Sequence, residues 1–499
     1  MSFNSLAFLV FLPVVVLVYW LLPHKFRWVW LLVASYVFYM SWNPWLIFLI
    51  IGTTLTSYLA GLSIEKTDKK WVKKTWLIAA IVVSIGALIF FKYFNFLIQN
   101  VIDFIRLFTP TIQDFSLDII LPIGISFYTF QTLSYVIDVY KGKFPAEKHL
   151  GYYALFVCYF PQLVAGPIER PGDLIPQLKQ EHKFNKDDFF TGFRILIVGF
   201  FYKCAVADVV GIYVNHYFGD LANANTLSTF IAGFLFSVQM YCDFAGYSEI
   251  ATGAARIMGV KLSRNFNRPY MSKSYSDFFR RWHMTLTRWF TYYVYIPLGG
   301  NRKGLARRIL NTFIVFLLCG LWHGANWTYV IWGLYAAFFM SLEDLLGKPL
   351  GSFFRRHNID PDGKEMVALR VIGMYFILIP AALIFRSSNV QEAFYVLGRL
   401  FTGWGFGEAY FSATIANLGM DIISILLVVL CIIGEVNIWH YGEIGRDAVA
   451  DISHLEQKEA RSLRANQLMV GVFVVLAIAV GWLALSSMGA TSAFQYFQF

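Results

Sequence analysis

The stretch LLCGLWHGANWTYVIWG, Leu317 to Gly333, places an imidazole and an amide in the middle of an apolar run from Ile309 to Phe339. Polar groups in hydrocarbon are costly, and where they occur they face a cavity or a partner. A neutral imidazole accepts a proton near neutral pH, so His323 is a candidate general base. Its plain alternative is a histidine satisfied between packed helices. Gly324 can break or bend the helix at that point, and Asn326 follows close behind. Cys319 lies four residues before His323, on the same helical face. A Cys–His pair could carry a covalent acyl-thioester, but a buried cysteine is far more often a packing residue.

A second histidine stands in SYSDFFRRWHMTLTRWF, Ser274 to Phe290. The stretch reads as one amphipathic helix capped by Asp277 or Ser276, with Phe278, Trp282, Leu286 and Trp289 on one face and Arg281 and Arg288 on another. His283 lies between Arg280 and Thr287. The whole segment Arg256 to Arg308 carries 12 Lys or Arg against a single acid, Asp277. It can lie on the cytoplasmic surface against acidic headgroups, and Arg280, Arg281 and Arg288 can also receive an anionic donor. Asp243, with Gln239 before it and Tyr247 after it, makes a polar face on another apolar run. An intramembrane carboxylate is a functional candidate by default; its plain alternative is a partner for a buried cation. Between Cys158 and Leu178, Pro161, Pro167 and Pro171 forbid one regular helix, so irregular re-entrant backbone is expected.

The elements that must position these residues are membrane helices. The chain of 499 residues is 58% hydrophobic and 14% charged, short of the roughly 25% charge of a soluble domain. Apolar runs fall near 4–22, 27–41, 44–63, 76–96, 119–140, 150–165, 190–215, 227–258, 309–322, 327–346, 367–386, 419–439 and 466–485. At about 20 residues per span they predict an all-α polytopic protein of roughly 11 transmembrane helices, with re-entrant and amphipathic helices around a central tunnel. Basic loops after the first, third and fifth runs put those loops in the cytoplasm and the N-terminus outside. The first run lacks a basic start and a cleavage site and reads as a retained helix. The net charge of +10 belongs to this orientation; no separate basic domain points to nucleic acid. Cys158, Cys204, Cys242, Cys319 and Cys431 have no CxxC spacing and read as reduced, with no metal site. No nucleotide-binding or hydrolase motif stands in a convincing context.

Four stretches taken together, FPQLVAGPIERP, YCDFAGYSEIATGAARIMG, NFNRPYMSKSYSDFFRRWHMTLTRWF and LWHGANWTYVIWG, resemble the membrane-bound O-acyltransferase family. They occur in the family's order within residues 121–346 of a single integral-membrane domain expected to fill 1–499. The later LIPAALIFRSSNVQEAFYVLGRLF resembles the bacterial alginate O-acetyltransferase branch, and further C-terminal helices are expected within 366–485. The resemblance implies that His323 is the family's intramembrane histidine and His283 its second functional histidine, with Asn326 and Asp243 at motif positions. It implies transfer of an acyl group, expected to be acetyl, from a cytoplasmic thioester to hydroxyls of a cell-surface polysaccharide, directly or through an extracytoplasmic acyltransferase partner. The setting is a bacterial inner membrane with its lipids and polysaccharide machinery. The donor would be acetyl-CoA or an acyl carrier protein, with no bound cofactor. Two rivals are D-alanyl transfer to teichoic acid from a carrier protein, and a non-enzymatic transporter or flippase. The latter would favour inverted internal repeats, and the chain shows none.

Overall fold

Apolar runs punctuated by Gly, Pro and basic loops fold as helices throughout the described residues. A computed structural model describes residues 1–422, 424–430 and 432, with the isolated positions 471, 474, 475, 478 and 481. In chain order the helices are α1 (Leu6–Leu21), α2 (His24–Met40), α3 (Ile47–Lys66), α4 (Lys70–Leu88), α5 (Phe94–Arg106), α6 (Ile125–Tyr140), α7 (Leu150–Cys158), α8 (Pro171–Lys179) and α9 (Lys186–Phe200). There follow α10 (Asp208–Gly219), α11 (Thr226–Ile257), α12 (Tyr275–Arg281), α13 (Met284–Phe290), α14 (Leu305–His323), α15 (Trp327–Arg356), α16 (Lys364–Arg386), α17 (Val390–Arg399) and α18 (Glu408–Asn417). Single π-helical turns join α4 to α5 at Ile89–Tyr93 and α9 to α10 at Phe201–Ala207, so each pair runs as one long helix.

Among the described residues, seven such stretches are long and apolar enough to cross a membrane, where the sequence predicts about eleven. The shortfall has a physical basis. The apolar runs near 4–22, 27–41, 119–140 and 150–165 form helices of 16, 17, 16 and 9 residues, below the ~20 residues of a full span. The runs 419–439 and 466–485, Cys431, and most of the C-terminal helices expected up to 485 lie outside the described residues. Cys158, Cys204, Cys242 and Cys319 are buried free thiols, as the spacing predicts.

Helices in a membrane gain little from burying apolar surface against one another, so close packing at small residues carries more of the association. The α9–α11 pair shows this. A Cβ on Gly199 would sit 2.8 Å from the Gly246 carbonyl, and one on Gly246 would sit 2.8 Å from the Gly199 carbonyl. Seven residues along, Gly192 and Gly253 repeat the contact. The hairpin of α14 and α15 uses the same device: a Cβ on Gly320 would run into the Tyr329 carbonyl, and one on Gly333 into that of Phe316. This close approach holds the helix that ends at His323.

Two expectations change form. Irregular backbone does occupy Tyr159–Arg170, and most of it is buried. The amphipathic stretch, however, is not one helix. It breaks at His283, whose backbone sits in the left-handed region at φ 43°, between the short helices α12 and α13. A non-glycine residue there carries strain that the surroundings must offset, and the local contacts described below do so.

Candidate active site

His323 is the last residue of α14. The helix stops there because Gly324 is fully extended, and a side chain at that position would collide with the Tyr329 ring. A helix that ends inside the protein leaves its last carbonyls without intrahelical partners. The π turn between α4 and α5 supplies them. Lys92 Nζ donates to the carbonyls of Trp322 (2.7 Å) and His323 (3.0 Å), and the Tyr93 hydroxyl donates to that of Leu321. A π turn shifts helical register by one residue, which here turns two neighbouring side chains toward the end of α14.

The restart of the chain is pinned just as firmly. Asn326 caps α15: its Oδ1 accepts from the Thr328 amide at 3.0 Å, and its Nδ2 donates to the Ser388 carbonyl at 2.7 Å. Trp327 Nε1 donates to Asn100 Oδ1 at 2.8 Å. Asn326 therefore shapes the break and lines neither cavity at His323. The His323 ring meets the rings of Trp322, Trp332 and Phe385 edge-on, with centroids 5.0 to 5.1 Å away.

His283 lies on the other side of Trp322, its ring centroid 5.7 Å from that of the indole. Both histidines line one cavity of about 220 Å³. Its walls are Phe279, Trp282, Leu286, Phe290, Phe316, Cys319 and Trp332, and its polar rim is Thr287, Thr291, Tyr295, Thr312, Arg308 and Asp344. Arg308 is ion-paired with Asp344. A smaller, almost wholly apolar cavity of about 70 Å³ reaches His323 from the side of Phe236, Met240, Tyr270, Leu378 and Phe385. Phe279, Trp282, His323 and Trp332 belong to both cavities.

The other candidates lie elsewhere. Asp243 is buried and accepts from Lys203 Nζ at 2.7 Å, and the same ammonium meets Asp208 at 2.8 Å. It lines neither cavity, so its geometry is that of a partner for a buried cation. A buried pair of this kind is costly to break, because the remaining charge is left uncompensated. Arg280 is exposed, Arg281 pairs with Asp277 at 3.0 Å, and Arg288 pairs with Asp173 at 3.2 Å. None of the three lines the histidine cavity; the basic residue that does is Arg308. Arg308 lies at the end of the basic segment Arg256 to Arg308, and only the packing of α14 on α15 brings it to the rim.

Arg288 also approaches Ser263 Oγ at 3.4 Å, and Ser263 binds the buried carboxyl of Glu169 through its backbone amide and its hydroxyl. Burial pushes the Glu169 carboxyl up to about 7 against the lowering effect of the Ser263 contacts. A carboxyl raised in the fold favours the folded state fully below its unfolded value near 4.5, and that contribution is lost as pH rises through about 7. Melting temperature in detergent is therefore expected to fall between pH 5 and 7, and to fall less in Glu169→Gln, which can keep both Ser263 contacts. Parallel curves for the two proteins would remove Glu169 from this account.

The model of the membrane-bound O-acyltransferase family matches residues 147–372. The chain is 37% identical over 415 residues to a probable alginate O-acetylase of Pseudomonas aeruginosa, covering 83% of this chain and 75% of that one. It is 33% identical to a probable alginate O-acetylase of Azotobacter vinelandii over the whole of both chains. A peptidoglycan O-acetyltransferase of Helicobacter pylori is 33% identical, with 79% of each chain covered. The matched segment contains both histidines, the break after His323 and the rim residues Arg308 and Asp344. A multi-pass helical protein that buries two histidines at one interior cavity, with relatives of this kind along most of its length, belongs to the membrane-bound O-acyltransferase family.

Proposed function

We propose that this enzyme moves an acetyl group from a thioester donor on the cytoplasmic side of a bacterial inner membrane to hydroxyls of a cell-surface polysaccharide, directly or through an extracytoplasmic acyltransferase partner. The observation that carries the reading is the convergence of His323 and His283 on one cavity with a charged rim at Arg308. That rim adjoins Arg302, Lys303 and Arg307, the end of the most basic segment in the chain. By the bias of positive charge toward the cytoplasm, the donor enters there and the N-terminus lies outside.

In this scheme His323 takes the proton of the acceptor hydroxyl. The oxygen attacks the thioester carbonyl carbon, the tetrahedral intermediate collapses with cleavage of the C–S bond, and the departing thiolate recovers a proton from the imidazolium. The thioester supplies the driving force, so the step as written uses no bound cofactor. The aromatic walls exclude water, which would otherwise hydrolyse the donor. Arg308 offers a guanidinium to phosphates of the donor, a role in which lysine is a poor substitute. A single integral domain carrying the whole reaction is part of the same proposal.

The test is reconstitution in sealed vesicles with acetyl-CoA, or an acyl-carrier thioester, added to one side. Acetyl transfer is expected only when the donor faces the side on which a cysteine placed at position 303 can be labelled. Transfer of D-alanine from a carrier protein, with none from acetyl-CoA, would replace this reading by the sister reaction on teichoic acid. Transfer with the donor on the opposite side would overturn the orientation.

A further inference from the structure

The two site histidines are held differently, and the difference fixes what one of them can do. His283 is 2% exposed. Its Nδ1 lies 3.0 Å from Asn265 Oδ1, while among the described residues no hydrogen-bonding group reaches its Nε2. Which nitrogen carries the proton follows from the Asn265 amide. Its Nδ2 donates to Ser248 Oγ at 3.1 Å. Its Oδ1 accepts from the Thr285 hydroxyl at 2.9 Å and faces the Thr285 backbone amide at 3.4 Å. The Thr285 hydroxyl already accepts from the Ile168 amide at 3.1 Å, so its own hydrogen is free to point at Asn265. A backbone N–H can only donate, which sets the amide orientation independently of the histidine. The oxygen facing Nδ1 is thus an acceptor, and Nδ1 must carry the hydrogen. In a neutral imidazole Nε2 then holds a lone pair. Burial, and next the neighbouring His323, hold His283 well below the usual histidine range, which keeps it neutral.

The backbone is built around the same contact. The Asn265 carbonyl accepts from the Met284 amide at 2.8 Å, so Asn265 holds the left-handed turn at His283 and the residues just after it, while the Asn267 amide donates to the Arg281 carbonyl at 2.8 Å on the preceding side. That is where the strain at φ 43° is offset, and the turn is what swings the imidazole off a helical path into the cavity wall.

We propose that Asn265 is a positioning residue for acyl transfer, locking His283 in the Nδ1–H tautomer so that Nε2 accepts a hydrogen bond from substrate. A donor to the developing oxyanion needs an N–H, so this assignment removes His283 from that role and requires a substrate hydrogen-bond donor opposite it. Two substrate groups offer that chemistry: the acceptor hydroxyl, and an amide N–H of a pantetheine-like donor arm. The inference rests on the acyl-transfer reading for its consequence, but the tautomer itself can be read without any activity.

Two measurements test it. The first is carbon-13 and nitrogen-15 NMR on histidine-labelled protein in lipid, with His283 assigned by its loss in His283→Gln. Nδ1 is expected to be protonated and Nε2 bare, with a mixture of tautomers in Asn265→Ala; a protonated Nε2 in the wild type would overturn the proposal. The second is the pH dependence of transfer at equal amounts of folded protein. Asn265→Ala is expected to lose at least 10-fold in turnover. Asn265→Asp keeps an acceptor at Nδ1 and stabilises the imidazolium, so it should retain transfer with its acid limb moved up by about one pH unit or more. A raised KM for the donor alone identifies the arm amide as the partner, and a raised KM for the acceptor identifies the hydroxyl. An unmoved acid limb in Asn265→Asp would reduce Asn265 to a structural residue. Absence of transfer in the wild type would instead sink the acetyl-transfer reading and leave the NMR result to judge the tautomer.

Discussion

His323→Ala is expected to accumulate in the membrane at wild-type level and to lower acyl transfer by about 100-fold or more, the low end of what loss of a general base costs, roughly 3 kcal/mol of barrier. The expectation rests on place: His323 ends a helix inside the protein and, unlike His283, lines both cavities. His323→Gln keeps hydrogen-bonding capacity without basicity, so it should be nearly as inactive. Cys319 shares the larger cavity, and Cys319→Ala should stay active if the thiol is a wall and no acyl-enzyme forms. The measurement is acetyl content of the surface glycan at equal membrane abundance of each variant. Near-normal acetylation by both His323 variants would return it to a packed histidine.

Lys92→Met should cost both stability and rate. The side chain is close in volume, so the change chiefly removes the donors to the Trp322 and His323 carbonyls. A hydrogen bond contributes about 0.5–1.5 kcal/mol net, and a buried carbonyl left without its donor carries a desolvation penalty of about 1–3 kcal/mol besides. A loss on the order of 3 kcal/mol should appear as a lower melting temperature in detergent. Because those carbonyls belong to the turn that carries His323, turnover should fall about 10-fold or more among molecules that remain folded, with donor KM little changed. Lys92→Arg, which keeps donors but is longer and planar, should lie between. A Met variant with the wild-type melting temperature and turnover would show that the end of α14 is held by Tyr93 and the Gly320–Gly333 contact alone.

These two positions show how unevenly the site could be read in advance. His323 announces itself, because a histidine and a glycine inside an apolar run are unexpected on local grounds. Lys92 carried the same kind of signal, a lone cation in IFFKYF between Ile89 and Phe94, and an intramembrane charge deserves the same suspicion. The run around it reads as an ordinary span, and a π turn has no period that hydropathy reveals. Asn265 stands in a polar loop, where an asparagine has no local oddity to mark it. Arg280, Arg281 and Arg288 draw attention because charge near a histidine in sequence suggests charge near it in space. The break at His283 undoes that reasoning by turning the imidazole inward while the arginines meet Asp277, Asp173 or solvent.

What the amino-acid sequence determines by itself is whatever depends on neighbouring residues: helical membrane architecture from apolar runs, the interruption at Gly324 and irregular backbone between Pro161 and Pro171. The family resemblance belongs here too, since it is carried by residue order. Tertiary structure alone decides which groups meet. The Lys92 Nζ and the His323 carbonyl lie 231 residues apart in the chain, and Arg308 and Asp344 lie 36 apart. Asn265 and His283 are separated by only 18 residues, yet they meet through a left-handed turn that few non-glycine residues adopt and that no local pattern marks in advance. Hydropathy and helical period are properties of a single segment, and they place a side chain on a face. Which partner stands opposite that face is set by how the segments pack on one another, and that arises only between segments.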